Sequence, residues 1–203
     1  MQQGAATSLR TLTEDEWAAL DEDTLGELVD GMLVEEEVPD FAHEVVVFWL
    51  SAMLAEWIAR NGGIAGGSGA KFIVRKGRGR RPDLFVFLPN GRRPPKRGAT
   101  RVPPDVMVEV ISGSPQDVRR DRIQKMDEYA AFGVRWYWLV DPTARTLEIY
   151  ERTPDGPYLR VRGASDGRVE AVPGFDGLVL DLDALWARVD ELADEEGEPP
   201  ASD

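Results

Sequence analysis

Residues 106–111 read Val-Met-Val-Glu-Val-Ile. Consecutive β-branched and apolar residues mark a strand buried on both faces rather than on one. That leaves the Glu109 carboxylate inside an apolar layer. An uncompensated ion there costs several kcal/mol, so the fold must supply it with a partner. A metal ion is one such partner. A second run repeats the anomaly. Asp83 is followed by Leu-Phe-Val-Phe-Leu, with no other polar side chain before Pro89.

The neighbouring segments say what surrounds these two strands. Thr13 and Glu16 stand at capping-box spacing, which predicts a short helix over 13–20. In residues 27–34, Glu-Leu-Val-Asp-Gly-Met-Leu-Val, the Asp30-Gly31 pair suits the tight turn of a β-hairpin. Asp40 is placed to cap a helix over 41–60, whose Val46, Leu50, Met53, Leu54 and Trp57 recur at helical spacing. Asn61-Gly62-Gly63 ends it. The glycine-rich stretch up to Gly69 lacks the Gly-Lys-Ser/Thr ending of a phosphate loop and reads as a connector. Strands are expected at 71–75, 83–88 and 106–111, with a loop at 76–81 and a proline-rich basic loop at 89–104. A turn at 112–115 leads to an amphipathic helix over 116–132, with Ile123, Met126 and Ala130 toward the core. Gly133 closes that helix. A buried strand at 136–140, an alternating strand at 147–150, weaker strands near Leu159 and Val169, and a helix over 182–192 complete the pattern. Helices interspersed with strands in this order give an α/β (α+β) fold, a mixed central sheet flanked by helices. Residues 1–10 read as a flexible N-terminus, 11–192 as one domain, and 193–203 as an acidic disordered tail.

Net charge is −13, which argues against a general nucleic-acid-binding protein. The charge is uneven, however. Every charged residue from Thr13 to Asp40 is acidic, whereas eleven Lys or Arg stand against Asp83 alone between Lys71 and Arg101. Arg119, Arg120, Arg122 and Lys125 form a second basic cluster after Glu109. Both acids are thus flanked by positive charge, either as solvated loops or as a phosphate-binding rim. The chain has no cysteine, which excludes disulfides and thiolate metal sites and agrees with a cytoplasmic location. The longest charge-free apolar run, 45–55, is too short to span a bilayer, and no membrane association is expected.

Consecutive strands usually lie side by side. Asp83, Phe85 and Phe87 share one face, as do Met107, Glu109 and Ile111. Aligned, the two carboxylates meet at one point. Magnesium takes hard oxygen ligands, commonly one or two carboxylates plus water and substrate phosphate. Together with a following basic helix, these are the parts of a metal-dependent phosphodiesterase. Lys125 shares a helix face with Asp121 and Tyr129. It is either an ordinary helical ion pair with Asp121 or a cation over the sheet that neutralises transition-state charge. His43 is the only histidine, so a multi-histidine zinc site is excluded. It is a packing residue at the helix start or a supporting site residue. Ser112 is a turn former or a hydrogen-bonding site residue. Trp136, Tyr137 and Trp138 are expected to pack in the core rather than stack on bases.

Several segments in order carry a resemblance: Arg81-Pro82-Asp83; Pro104 through Glu109-Val110-Ile111-Ser112; Lys125 with Tyr129; and Gly133-Val134-Arg135-Trp136-Tyr137-Trp138-Leu139-Val140-Asp141-Pro142. With the 27–34 hairpin and His43, they resemble the Uma-type restriction endonuclease family of the PD-(D/E)XK nuclease superfamily. The resemblance spans roughly residues 10–190. It implies an αβββαβ nuclease core, Mg²⁺ or Mn²⁺ held by Asp83 and Glu109, and hydrolysis of phosphodiester bonds in nucleic acid, with DNA the favoured substrate. The superfamily's lysine is expected two residues after the second acid, where this chain has Ile111. The resemblance points instead to Lys125, from the next helix, and leaves Glu27 as a candidate additional acid. Many nucleases act as homodimers, which is left open here. The competing reading is a catalytically silent binding or regulatory protein on the nuclease fold.

Overall fold

The computed structural model describes residues 11–21, 24, 26–34, 39–112 and 118–193. The expected N-terminal and C-terminal tails, and residues 113–117 of the turn and helix start, lie outside these.

Helix α1 (Glu14–Ala18) begins at the Thr13 capping box: Thr13 Oγ1 accepts from the Glu16 amide, and the Glu16 carboxylate accepts from the Thr13 amide. Strands β1 (Glu27–Val29) and β2 (Met32–Val34) form the hairpin. Asp30 and Gly31, at φ 50° and 80°, make the left-handed turn that their sequence suggests. Helix α2 (Phe41–Asn61) is capped by Asp40 Oδ1, which accepts from the His43 amide, and stops at Gly62 with φ 83°.

The central sheet has six strands in the order β10-β9-β8-β7-β6-β3. These are β3 (Ile64–Gly67), β6 (Leu84–Phe87), β7 (Val106–Val110), β8 (Trp136–Asp141), β9 (Thr146–Arg152) and β10 (Tyr158–Ala164). Only β7 and β8 run parallel; the other pairs are antiparallel. All five residues of β7 are buried, as their composition requires. One face packs Val106, Val108, Val110, Trp136 and Trp138 against Val46, Leu50, Leu54 and Trp57 of α2 and against Leu182, Leu185 and Trp186 of α4 (Leu182–Val189). Strands β11 (Arg168–Val169) and β12 (Leu180–Asp181) form a short ladder before α4. The other face packs Phe85, Phe87, Met107, Ile111, Tyr137 and Leu139 under Tyr129 of α3 (Met126–Phe132). The three aromatics of β8 are therefore core residues. By length and composition α2 could cross a membrane, but its Val46–Leu50–Leu54–Trp57 stripe is packed on the sheet.

Three expectations are corrected. The glycine-rich connector is strand β3, at the sheet edge. Gly66 lies so close to Phe85 that a Cβ would sit 2.6 Å from the ring's Cζ, so glycine here serves packing although it reads as a strand breaker. The loop at 76–81 contains strand β5 (Arg78–Arg80), which joins β1 and β4 (Phe72–Arg75) in a separate sheet of order β2-β1-β5-β4. Its arginines and glycine conceal it from any apolar periodicity. Ile123, expected in the core, is 57% exposed. Residues Arg120–Lys125 are π-helical, and the wider i→i+5 turn shifts the angular phase of the segment. Asp121 and Lys125 face inward there instead.

The strand directions also place the basic loop. Leu84 pairs with Val108 and Val86 with Val106, so Asp83 stands across from Glu109 at one end of the pair. Residues 88–105 leave from the other end, where the Leu88 amide donates to Asp105 Oδ2. Arg92 there donates to the Gly133 carbonyl, at the far end of α3. The proline-rich basic loop is therefore no rim of the two acids. Arg119, Arg120 and Arg122, ahead of α3, are at their end.

Candidate active site

Glu109 is 2% exposed, and both its oxygens have partners. Lys125 Nζ donates to Oε2 at 2.9 Å and Tyr129 Oη to Oε1 at 2.5 Å. Both donors come from the helix over β7, four residues apart on one face. Burial is the main force raising the Glu109 carboxyl well above its ordinary range. Lys125 opposes this, while the Asp83, Asp121 and Glu27 carboxylates reinforce it. The Tyr129 phenol is likewise raised well above its usual value by burial and by Glu109, and so remains a proton donor to that carboxylate.

Asp83 is placed by the end of β6. Its Oδ2 accepts from the Val110 amide at 2.7 Å, which ties it to the strand carrying Glu109. His43 Nε2 lies 3.3 Å from the same oxygen. His43 is 5% exposed at the first turn of α2, with Nδ1 3.4 Å from Glu44. Burial alone would lower its pKa, but Asp83 and Glu44 together outweigh burial and raise it above 6.5. The single histidine is thus brought to the acid pair.

Glu27 also reaches the site. Its Oε2 accepts from Arg80 Nη1 at 2.5 Å and its Oε1 from the Arg81 amide at 3.0 Å, with Lys125 Nζ 3.7 Å away. Burial would raise its pKa; Lys125 and Arg80 outweigh that and lower it. Arg80 is fully buried and extends its Nε to Glu128 Oε2 at 2.6 Å. One guanidinium thereby clamps the hairpin to the helix that carries Lys125. Asp121 Oδ1 lies 3.4 Å from Lys125, so among the described residues three carboxylates approach that ammonium. Ser112 is half-buried past the end of β7 and forms no hydrogen bond with Asp83 or Glu109. Ile111, at the superfamily's lysine position, is buried among apolar side chains.

Sequence reasoning missed Arg80 and Glu128. Their only signal was an arginine in a basic run and an acid beside Tyr129, and neither says which side chain is buried. The constellation holds oxygen donors and one imidazole, and no group of three or more His, Cys, Asp or Glu spaced around a metal occurs among the described residues. Two carboxylates suffice for a hard cation that keeps waters and takes substrate phosphate. Asp83 and Glu109, across from each other at one end of the β6–β7 pair, are the two carboxylates that could hold such an ion.

The profile of the Uma2 family, described as "Putative restriction endonuclease", matches residues 15–183. The chain belongs to the Uma2 family. Its fold is shared with a crystal structure titled a "putative nuclease belonging to DUF820" from Anabaena variabilis, at a TM-score of 0.65 and 20% identity over 88% of this chain and 99% of that one. No curated protein matches the chain. The family and the shared fold make this a restriction-endonuclease-like protein of nuclease type.

Proposed function

We propose that this Uma2 protein is a divalent-metal-dependent nuclease that hydrolyses phosphodiester bonds of DNA. The observation that carries the reading is the meeting of Asp83 and Glu109 across β6 and β7, with Lys125 2.9 Å from Glu109. Asp83 and Glu109 would hold Mg²⁺ or Mn²⁺, which when bound lowers the pKa of water and polarises the phosphodiester. Tyr129 and the Val110 amide fix the two carboxylates in place. Lys125 is aimed at the acid pair, where its ammonium can neutralise charge on a pentavalent phosphorus. Arg80, Glu27 and Asp121 hold that ammonium in position, and His43 orients Asp83. Glu27, already bound by Arg80 and the Arg81 amide, acts in this reading through Lys125.

One observation favours a catalytically silent binding protein: both Glu109 oxygens are already occupied. A cleavage assay on supercoiled plasmid, linear duplex and single strands decides between the two. It uses Mg²⁺ or Mn²⁺ at low salt, with EDTA and Asp83→Ala as controls and Mn²⁺ calorimetry beside it. Metal-dependent cutting that Asp83→Ala abolishes is expected. No cutting and no metal binding would establish the silent reading. Light scattering tests whether the protein dimerises.

A further inference from the structure

Starting at Glu109, the strand register continues across the sheet. Glu109 pairs with Leu139, Leu139 with Glu148, and Glu148 with Gly163. In-register partners share a face, so Asp83, Glu109 and Glu148 form one row on the α3 side. Neighbouring strands lie about 4.8 Å apart, which puts Glu148 on the order of 10 Å from Glu109. Glu148 is only 9% exposed, and it gathers two arginines. Arg122 and Arg160 each donate to it through Nη1, the latter at 2.8 Å, and Tyr150 adds its hydroxyl at 3.2 Å. Burial would raise the Glu148 pKa, but these donors outweigh it and keep the carboxyl ionised. Arg122 also reaches Asp141 at 3.3 Å.

A guanidinium carries five N–H donors. Glu148 and Asp141 engage two of Arg122's, and Glu148 one of Arg160's. The remaining donors border a cavity of about 480 Å³ lined also by Thr146 and Ser165. The side chain of Arg160 is 60% exposed and that of Arg122 32% exposed. Arg122 lies one helical turn before Lys125, and the exposed Arg119 precedes it. In a protein of net charge −13, this concentrates cations at the acid-pair end of the sheet. The proline-rich basic loop of residues 89–104 lies at the opposite end.

We infer that Arg122 and Arg160 form a phosphate-binding subsite that receives the nucleic-acid strand beside the scissile bond. The strand then leaves the acid pair across β8 and β9. This rests on the nuclease reading above. A buried carboxylate that fixes both guanidinium groups prepares them for bidentate phosphate contact.

The test is fluorescence anisotropy of labelled single-stranded and duplex oligonucleotides in EDTA, which prevents cleavage, and again with Ca²⁺. Wild type is compared with Arg160→Ala, Arg160→Glu, Arg160→Lys and, as a control at the other end of the sheet, Lys96→Ala/Arg97→Ala. Thermal melts confirm that each variant folds. Arg160→Ala is expected to weaken binding about three- to tenfold near 0.1 M salt and to lower the salt slope by about one. Arg160→Glu should weaken it further, Arg160→Lys should recover most of the loss, and the control should bind like wild type. If wild type binds and Arg160→Ala and Arg160→Glu bind equally well, the subsite is overturned and the nuclease reading stands. A loss in the Lys96→Ala/Arg97→Ala control equal to that in Arg160→Ala also overturns the subsite. If wild type binds neither nucleic acid in either buffer, both readings fall together.

Discussion

Replacing Lys125 with methionine removes an ammonium that, among the described residues, lies within 4 Å of three buried carboxylates. The ammonium lies 2.9 Å from Glu109, 3.4 Å from Asp121 and 3.7 Å from Glu27. Glu27 keeps Arg80 and the Arg81 amide, and Asp121 keeps Arg120 at 3.3 Å. Glu109 keeps only the Tyr129 hydroxyl, so it bears the loss. Breaking a buried pair by deleting one partner costs about 3–5 kcal/mol. In a domain of this size each kcal/mol moves the midpoint by roughly 2–4 °C, so a fall of about 6–20 °C is expected at pH 8. The penalty is pH-dependent, with a definite sign. The Glu109 pKa is already raised in the folded state, and losing Lys125 removes the largest influence that lowers it. The folded variant therefore holds a proton that the unfolded chain releases above about pH 4.5. Its stability relative to wild type should recover as pH falls from 8 toward 5. Thermal and urea unfolding of both proteins at pH 6 and pH 8 measure this. A loss below about 1 kcal/mol, the size of an exposed pair, with no pH dependence would refute the buried arrangement around Lys125.

Three further outcomes follow from the same geometry. Arg80→Met removes the cation shared by Glu27 and Glu128; Glu27 keeps the Arg81 amide and Lys125, and Glu128 keeps Arg78 at 3.4 Å and Arg75 at 3.5 Å, so a cost of about 1–3 kcal/mol is expected in urea unfolding, more than for Arg60→Met on the exposed face of α2. Gly79→Ala would put a Cβ 2.3 Å from Cζ3 of the buried Trp17 ring, and should destabilise by about 1–3 kcal/mol or more, read as a lower thermal midpoint. Mn²⁺ binding must deprotonate the raised Glu109 carboxyl, so calorimetry in buffers of different ionisation enthalpy should show proton release, with affinity that rises with pH and levels off above the Glu109 pKa. Affinity independent of pH between 5 and 8 would exclude Glu109 as a ligand.

Much of this protein was legible without coordinates because short-range chemistry writes it locally. The Thr13–Glu16 box, the Asp30-Gly31 turn, the Asp40 cap and the Gly62 and Gly133 stops each rest on contacts within a few residues. The two acids stood out because a carboxylate contradicts the apolar strand around it, and period-two alternation allows both to share one face of the sheet. Lys125 emerged from helical spacing with Asp121 and Tyr129, together with the family resemblance.

Tertiary structure alone decided the rest. Strand β3 depends on a ring from another strand filling the space over Gly66, and β5 is held by pairing with β1 and β4 rather than by its own composition. A π-turn rotated Ile123 out of the stripe it would share with Met126 and Ala130 in a regular α-helix. The burial of Arg80, the approach of His43 to Asp83, and the placing of the proline-rich basic loop at the end away from the acid pair all depend on strand direction and long-range packing. A sequence determines which residues are costly to leave unpaired, because that cost is local. Which partner answers each of them is decided only when distant segments pack, because desolvation and Coulomb energy depend on distance through space and not along the chain.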